Sequence, residues 1–282
     1  KNCKELLPNY LRFVTGVVDC EDLPLNISRE NYQDSSLMAK LKGLLTKRVL
    51  RTLQEKAKRS PAEYKEFFKN FHINIKEGLY TDHENQKTLL SLIRFDSSIG
   101  DHISLENYVE NMKEGQDKIY FFLSQSKEAA ENSAYMEPFT KYDLPVLFLG
   151  VHIEEMILQQ LGQFEGKQFV NIESPQLTLP KNLKAKSQAV SEFELPEDER
   201  QNFCLWVRNE LQPMVGNVVI SEKLTDSPVM VSSMMSSGMR QMMSMMDQGF
   251  NVNQFHQNLT MEVNPDHEMV FKLNVLRKTN IK

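Results

Sequence analysis

From Leu37 onward apolar residues return at a helical interval, as Leu37, Leu41, Leu44, Leu45, Val49 and Leu53, with Lys40, Lys47, Arg48 and Arg51 between them. This spacing predicts an amphipathic helix running to about Lys58, with one apolar stripe turned inward. Ser60-Pro61 interrupts the pattern and restarts it. Proline suits the first helical position, where its missing N–H costs nothing, and Tyr64, Phe67, Phe68 and Phe71 then supply an aromatic face. A further helix is predicted over about Gln86–Phe95, so the middle of the chain reads as a helical connector.

The period changes from Ile119. Short continuous apolar runs, "IYFFLS", "PVLFLG" and "KQFVNI", alternate with helical stretches through Ala129, Met136–Tyr142 and Ile153–Leu161. Runs of this kind are buried on both faces, and their alternation with helices predicts β-α-β units around a parallel sheet between about Asp96 and Ile172. Neither Gly150 nor Gly162 belongs to a phosphate-loop pattern. A polar, proline-punctuated stretch follows and reads mostly as a linker, over about 176–194. Beyond it come a helix through Phe203, Trp206, Val207 and Leu211, candidate hairpin strands "NVVISEKL" and "PVMVSS", a strand "LTMEVN" and a helix "HEMVFKLNVLRK". The fold class predicted is α/β followed by α+β. We expect the end of a large αβα subdomain at 1–58, a connector at 59–95, a small αβα subdomain at 96–175 and a partial C-terminal α+β domain at 195–282.

With 282 residues and a net charge of -5, the chain can bury one or two cores, and its acidic balance argues against general nucleic-acid binding. Its longest apolar stretches are too short to span a bilayer. It begins at Lys1, and we read that start as a cut into a longer protein. Cys3, Cys20 and Cys204 make an odd count without C-x-x-C spacing, which points away from a disulfide framework or a cysteine-built zinc site.

No catalytic constellation is complete. The six histidines are scattered without paired ligand spacing, and Asp19, Glu21 and Asp22 lack the glycine and alternating oxygens of a calcium loop, so no metal site is expected. The stretch "PVMVSSMMSSGMRQMMSMMDQGF" holds more physical content. Eight of the 15 methionines lie between Met230 and Met246, and Met235, Met239, Met242, Met243 and Met246 would form one stripe on a helix. Flexible, polarisable thioethers repack against many apolar shapes, as adaptable binding surfaces require. Interrupting serines, and Gly238 at about 1 kcal/mol below alanine in helix stability, weaken the plainer reading as a core stripe. Thioether binding of Cu(I) is a competing reading that lacks neighbouring Cys or His.

Arg29 poses the sharper question. It follows a candidate N-cap, Ser28, in the first turn of a helix, where the macrodipole disfavours a positive charge. By itself it reads as a structural partner of Glu30 or Asp22. Yet "GVVDCEDLPLNISRE" resembles a signature of the heat-shock-protein-ninety chaperone family, and the likeness continues through "NIKEGLYTDHENQKTLLSLIRFDSS", "SLENYVENMKEGQDKIYFF", "QFEGKQFVNI", "EKLTDSPVMVSS" and "MEVNPDHEM". "QDSSLMAKLKGLLTKRVL" and "VLFLGVHIEEMILQQL" resemble most the mitochondrial branch and bacterial members.

The resemblance implies an ATP-driven homodimer that remodels unfolded or partly folded client proteins, with a mitochondrial location expected and the cytoplasm or another organelle as the alternative. In it Arg29 would reach the γ-phosphate of Mg-bound ATP held by a separate N-terminal domain, and Gln33, one turn later, would be its polar partner. A planar guanidinium and the dipoles of a helix N-terminus both suit a phosphate. Met239, Met242, Met243, Met245 and Met246 would contact clients, as would Glu155 and Met156 with a weaker match. The nucleotide-binding domain is missing, so the chain alone is expected to bind no ATP cofactor and to be inactive as an ATPase. The rival reading is a nucleotide-independent structural or peptide-binding module.

Overall fold

The computed structural model describes residues 6–19, 35–174, 177–180, 192–233 and 259–279. It divides into two compact units, one of residues 1–95 with 102–107, the other of 96–101 with 108–282.

The first unit is built on the predicted helices: α1 (Ser35–Arg59), α2 (Pro61–Thr81) and α3 (Gln86–Leu92). Pro61 opens α2 as its sequence position suggested. Tyr64 and Phe68 are buried, and Phe13 packs edge-on against Phe67 and tilted against Phe71, at centroid distances of 5.5 and 4.6 Å. The Tyr64 hydroxyl donates to the Leu92 carbonyl at 2.7 Å, tying α2 to the end of α3. The third helix stops before the predicted end because Phe95 is the first residue of strand β1 (Phe95–Ser97).

Near the chain start a single 3-10 turn (Asn9–Leu11) buries Tyr10 against α2. The Tyr10 hydroxyl donates to the Asp82 carboxylate at 2.6 Å, and its ring lies over Gly78. Burial raises the Asp82 pKa, but the hydroxyl of Tyr10 and the side chain and backbone of Asn85 outweigh it and hold that carboxyl below its usual range. A Cβ on Gly78 would come within 2.7 Å of the Tyr10 ring, closer than packed atoms approach. Gly78→Ala is therefore expected to cost about 2–3 kcal/mol in overpacking, more than the about 1 kcal/mol that alanine gains as the better helix former. Urea denaturation reads this directly, and an unchanged midpoint would contradict it.

The second unit holds the predicted parallel sheet. Its strands are β1, β2 (Gly100–Ile103), β3 (Lys118–Leu123), β4 (Val146–Leu149), β5 (Gln163–Phe164) and β6 (Lys167–Asn171), in the order β2-β1-β4-β3-β6-β5. β3 pairs parallel with β4, Phe121 opposite Leu147, and with β6, Ile119 opposite Phe169. β1 and β5 join antiparallel. Helix α4 (Leu105–Glu110) precedes β3, α5 (Lys127–Glu131) and α6 (Glu137–Tyr142) lead to β4, and α7 (His152–Leu161) leads towards β6. Tyr120, Phe122, Phe139, Val146, Phe148 and Ile172 form one core of this sheet.

The later part is α+β: α8 (Glu197–Glu210), β7 (Asn217–Ile220), β8 (Val229–Ser233), β9 (Leu259–Val263) and α9 (Glu268–Thr279). Phe203, Val207, Val218, Val263 and Val270 make its core. The predicted β7–β8 hairpin is incorrect. β9 lies between the two strands, parallel to β7 with Val218 opposite Met261 and antiparallel to β8 with Met230 opposite Glu262. The mixed α/β and α+β class is otherwise as predicted.

Candidate functional site

Arg29 and Gln33 lie outside the described residues, as do Met239, Met242, Met243, Met245 and Met246. Of the methionine-rich stretch, Met230 is described; it sits on β8 and is buried. The geometry on hand belongs to Glu155 and Met156, both on α7.

The chain passes from β3 to β4 on one side and then crosses to β6 on the other. Such a reversal in a parallel sheet leaves a crevice outside the carboxyl ends of the strands. Those ends are Leu123-Ser124, Leu149-Gly150 and Asn171-Ile172, and the start of α7 stands among them. The Glu154 carboxylate accepts the amides of Gly150 and Val151 at 2.8 and 3.1 Å, fixing the strand-to-helix turn where orphan N–H groups need an acceptor.

Glu155 is wholly buried. Its Oε1 accepts from Asn171 Nδ2 at 3.1 Å and from Gln159 Nε2 at 3.3 Å. Its Oε2 lies 3.3 Å from His152 Nδ1, within ion-pair reach but without the alignment of a hydrogen bond. Asn171 also touches the buried Glu173 carboxylate at 3.5 Å. A polar knot therefore holds α7 against β6. Of the sequence-named pair, only Met156 reaches the surface, at 39 % exposure, together with Val151 and Ile153 at 45 and 41 %. The Glu155 carboxylate cannot touch a partner from its buried position. At its start α7 turns the apolar side chains of Val151, Ile153 and Met156 outward over a fixed polar base, and further along it exposes Gln159 and Gln160.

Among the described residues no group of three or more His, Cys, Asp or Glu converges as metal ligands would, and no helix is long and apolar enough to cross a membrane. Two residues that pattern reading missed organise this unit: Tyr108, a buried hydrogen-bond hub, and Glu137, which reaches the later sheet. Tyr108 lies within the family-like stretch from Ser104 and Glu137 in none, and only their three-dimensional partners reveal what either does.

A mixed six-stranded sheet followed by an α+β unit around a three-stranded sheet defines a protein of the mixed α/β and α+β class. The chain belongs to the Hsp90 protein family, whose model matches residues 1–282. It is similar to chaperone protein HtpG of Desulfotalea psychrophila, 36% identical over 99% of this chain and 46% of the relative. HtpG of Desulfitobacterium hafniense is 36% identical over 99% of this chain and 45% of the relative, and that of Salmonella typhimurium 36% over 95% and 43%. The chain thus spans less than half the length of these relatives. All are bacterial proteins, and bacteria have no mitochondria, so the mitochondrial branch and mitochondrial location expected from the sequence are corrected.

Proposed function

We propose that this chain is the middle and partial C-terminal portion of an ATP-dependent molecular chaperone that binds and remodels unfolded or partly folded proteins as a homodimer. The observation that carries this reading is the family match along the whole chain, and it is supported by the resemblance of Asn26-Ile27-Ser28-Arg29-Glu30 to the family's phosphate-sensing signature. ATP with Mg is the substrate, held by a separate domain of the whole protein. Arg29 contacts its terminal phosphate and Gln33 supports that contact, so hydrolysis is coupled to closure. Residues 1–58 end the large subdomain, 59–95 connect, 96–175 form the small subdomain, 176–194 link and 195–282 belong to the C-terminal domain.

Client contact falls to two surfaces. Met156 with Val151 and Ile153 presents the apolar rim of α7, with Glu155 as a positioning residue beneath it. Met239, Met242, Met243, Met245 and Met246 form the second, whose thioethers adapt to varied apolar sequences. The test replaces Met242, Met243, Met245 and Met246 with serine in the whole protein. Affinity for a partly unfolded client is expected to fall at least tenfold while basal ATP hydrolysis stays within about twofold, since a methionine side chain buried against a client contributes about 1 kcal/mol or more of apolar contact. Equal client affinity in both proteins would remove this surface from the account.

A further inference from the structure

Between β7 and β8 the chain turns through Thr225-Asp226-Ser227-Pro228, and three successive amides of that turn point the same way. All three donate to one side chain. Glu137 Oε2 accepts the N–H of Thr225 at 2.7 Å and of Asp226 at 3.0 Å, and Oε1 accepts that of Ser227 at 2.8 Å. Consecutive amides in this arrangement form a concave nest that favours an anion. Glu137 stands in the first turn of α6, where an acidic side chain ordinarily serves its own helix. Here it serves a loop 88 to 90 residues away in sequence.

The nest is braced from behind. Asn264, at 1 % exposure, donates its side-chain amide to the carbonyls of Thr225 and Ser227 at 3.2 and 3.1 Å, and its backbone N–H to the Pro228 carbonyl at 2.9 Å. Ser221 Oγ accepts the amides of Lys223 and Leu224, and donates to Glu262 on β9 at 3.1 Å. The loop is therefore part of the three-stranded sheet's rigid body, while Glu137 belongs to the six-stranded sheet's helical layer. Two residues before it, Tyr135 packs on Phe122 of the six-stranded sheet's core and donates its hydroxyl to the Val231 carbonyl on β8.

We propose that Glu137 is a latch: seated in the Thr225–Ser227 amide nest it makes the six-stranded and three-stranded sheets one mechanical body, and its withdrawal is the event by which the two part. The inference goes beyond the functional reading above and stands without it. Burial alone would raise the Glu137 pKa, yet hydrogen bonds from Ser227, Thr225 and Asp226 hold it below its usual value, so the seated form is the ionised one. The latch is a set of backbone contacts to one carboxylate, so moving that single side chain frees the loop without unfolding either sheet and leaves the Tyr135–Val231 hydrogen bond as the remaining tie about which the two can swing.

Hydrogen exchange on the 282-residue chain tests this. In Glu137→Ala the amides of Thr225, Asp226 and Ser227 are expected to exchange at least tenfold faster, while those of β3 and β9 keep their protection, and thermal unfolding is expected to separate into two transitions. Glu137→Gln, nearly isosteric but uncharged and bearing an NH₂ that faces donors, is expected to do the same more weakly. Unchanged exchange at the three amides in Glu137→Gln would overturn the proposal. A second measurement needs no variant: in the wild-type chain under mild denaturant the three amides are expected to open together, before β3. Exchange of those amides only by the same global event that releases β3 would equally overturn it.

Discussion

Replacing Arg29 by alanine in the whole protein is expected to slow ATP hydrolysis by roughly 10²-fold or more, with nucleotide affinity nearly unchanged. A donor aimed at charge that develops in the transition state contributes about 3–4 kcal/mol, and little of that is spent on ground-state binding. The guanidinium suits this task because its donors form a rigid fork matched to phosphate oxygens and because it stays ionised. Arg29→Lys keeps the charge but loses the fork, so it is expected to recover only part of the rate. In a structural role, with Arg29 paired to Glu30 or Asp22, both variants would hydrolyse ATP at the parental rate while losing stability. Steady-state and single-turnover rates on the two variants separate these outcomes.

The second large effect is expected at Tyr108. This side chain is wholly buried, and its hydroxyl donates to the Pro145 carbonyl at 2.5 Å while accepting the Tyr120 amide at 2.9 Å and Gln116 Nε2 at 3.2 Å. It thus joins the segment before β3 to the start of β3 and the residue before β4. Tyr108→Phe keeps the ring's volume and strands two buried backbone groups, each costing about 1–3 kcal/mol when left unpaired. We expect a loss of about 2–4 kcal/mol, read as a lower urea midpoint with an unchanged slope. A loss below about 0.5 kcal/mol would mean that water satisfies those groups.

The same hydroxyl gives a pH signature. Burial pushes the Tyr108 pKa above its ordinary 10, so the folded state holds this proton more tightly than the unfolded chain. The stabilisation is complete below pH 10 and is lost as pH rises above it towards the folded-state value. The alkaline loss is expected to be smaller in Tyr108→Phe than in the parent, with Tyr10, Tyr64 and Tyr120, also raised by burial, contributing to what remains.

Much of the fold was legible because its elements carry strong local signals. Strands β3 and β4 read as continuous apolar runs since parallel strands in this sheet are buried on both faces, and α1 and α2 announced themselves by period and by Pro61. The order of the three-stranded sheet was not legible. β7 and β8 look like a hairpin because they are neighbours in sequence, but β9, which arrives later, pairs with both, and no local pattern encodes which edge a distant strand will take. Gly78 was equally silent, since a helical glycine announces itself only once the Tyr10 ring is found above it.

The site divides in the same way. Met156 was named by resemblance and stands exposed, whereas Glu155, named with it, proved to be a buried brace between Gln159 and Asn171. Sequence likeness marks a position without distinguishing contact from support. Glu137 is one carboxylate among 38 acidic residues, and nothing near it in sequence points to amides some ninety residues on.

The most direct test of the central claim is the position of the Arg29 side chain in the whole protein loaded with a non-hydrolysable ATP analogue and trapped in its closed form. The account expects the guanidinium within hydrogen-bond distance of the terminal phosphoryl oxygens, with Gln33 beside it. A guanidinium turned away and paired with Glu30 or Asp22 would contradict the account.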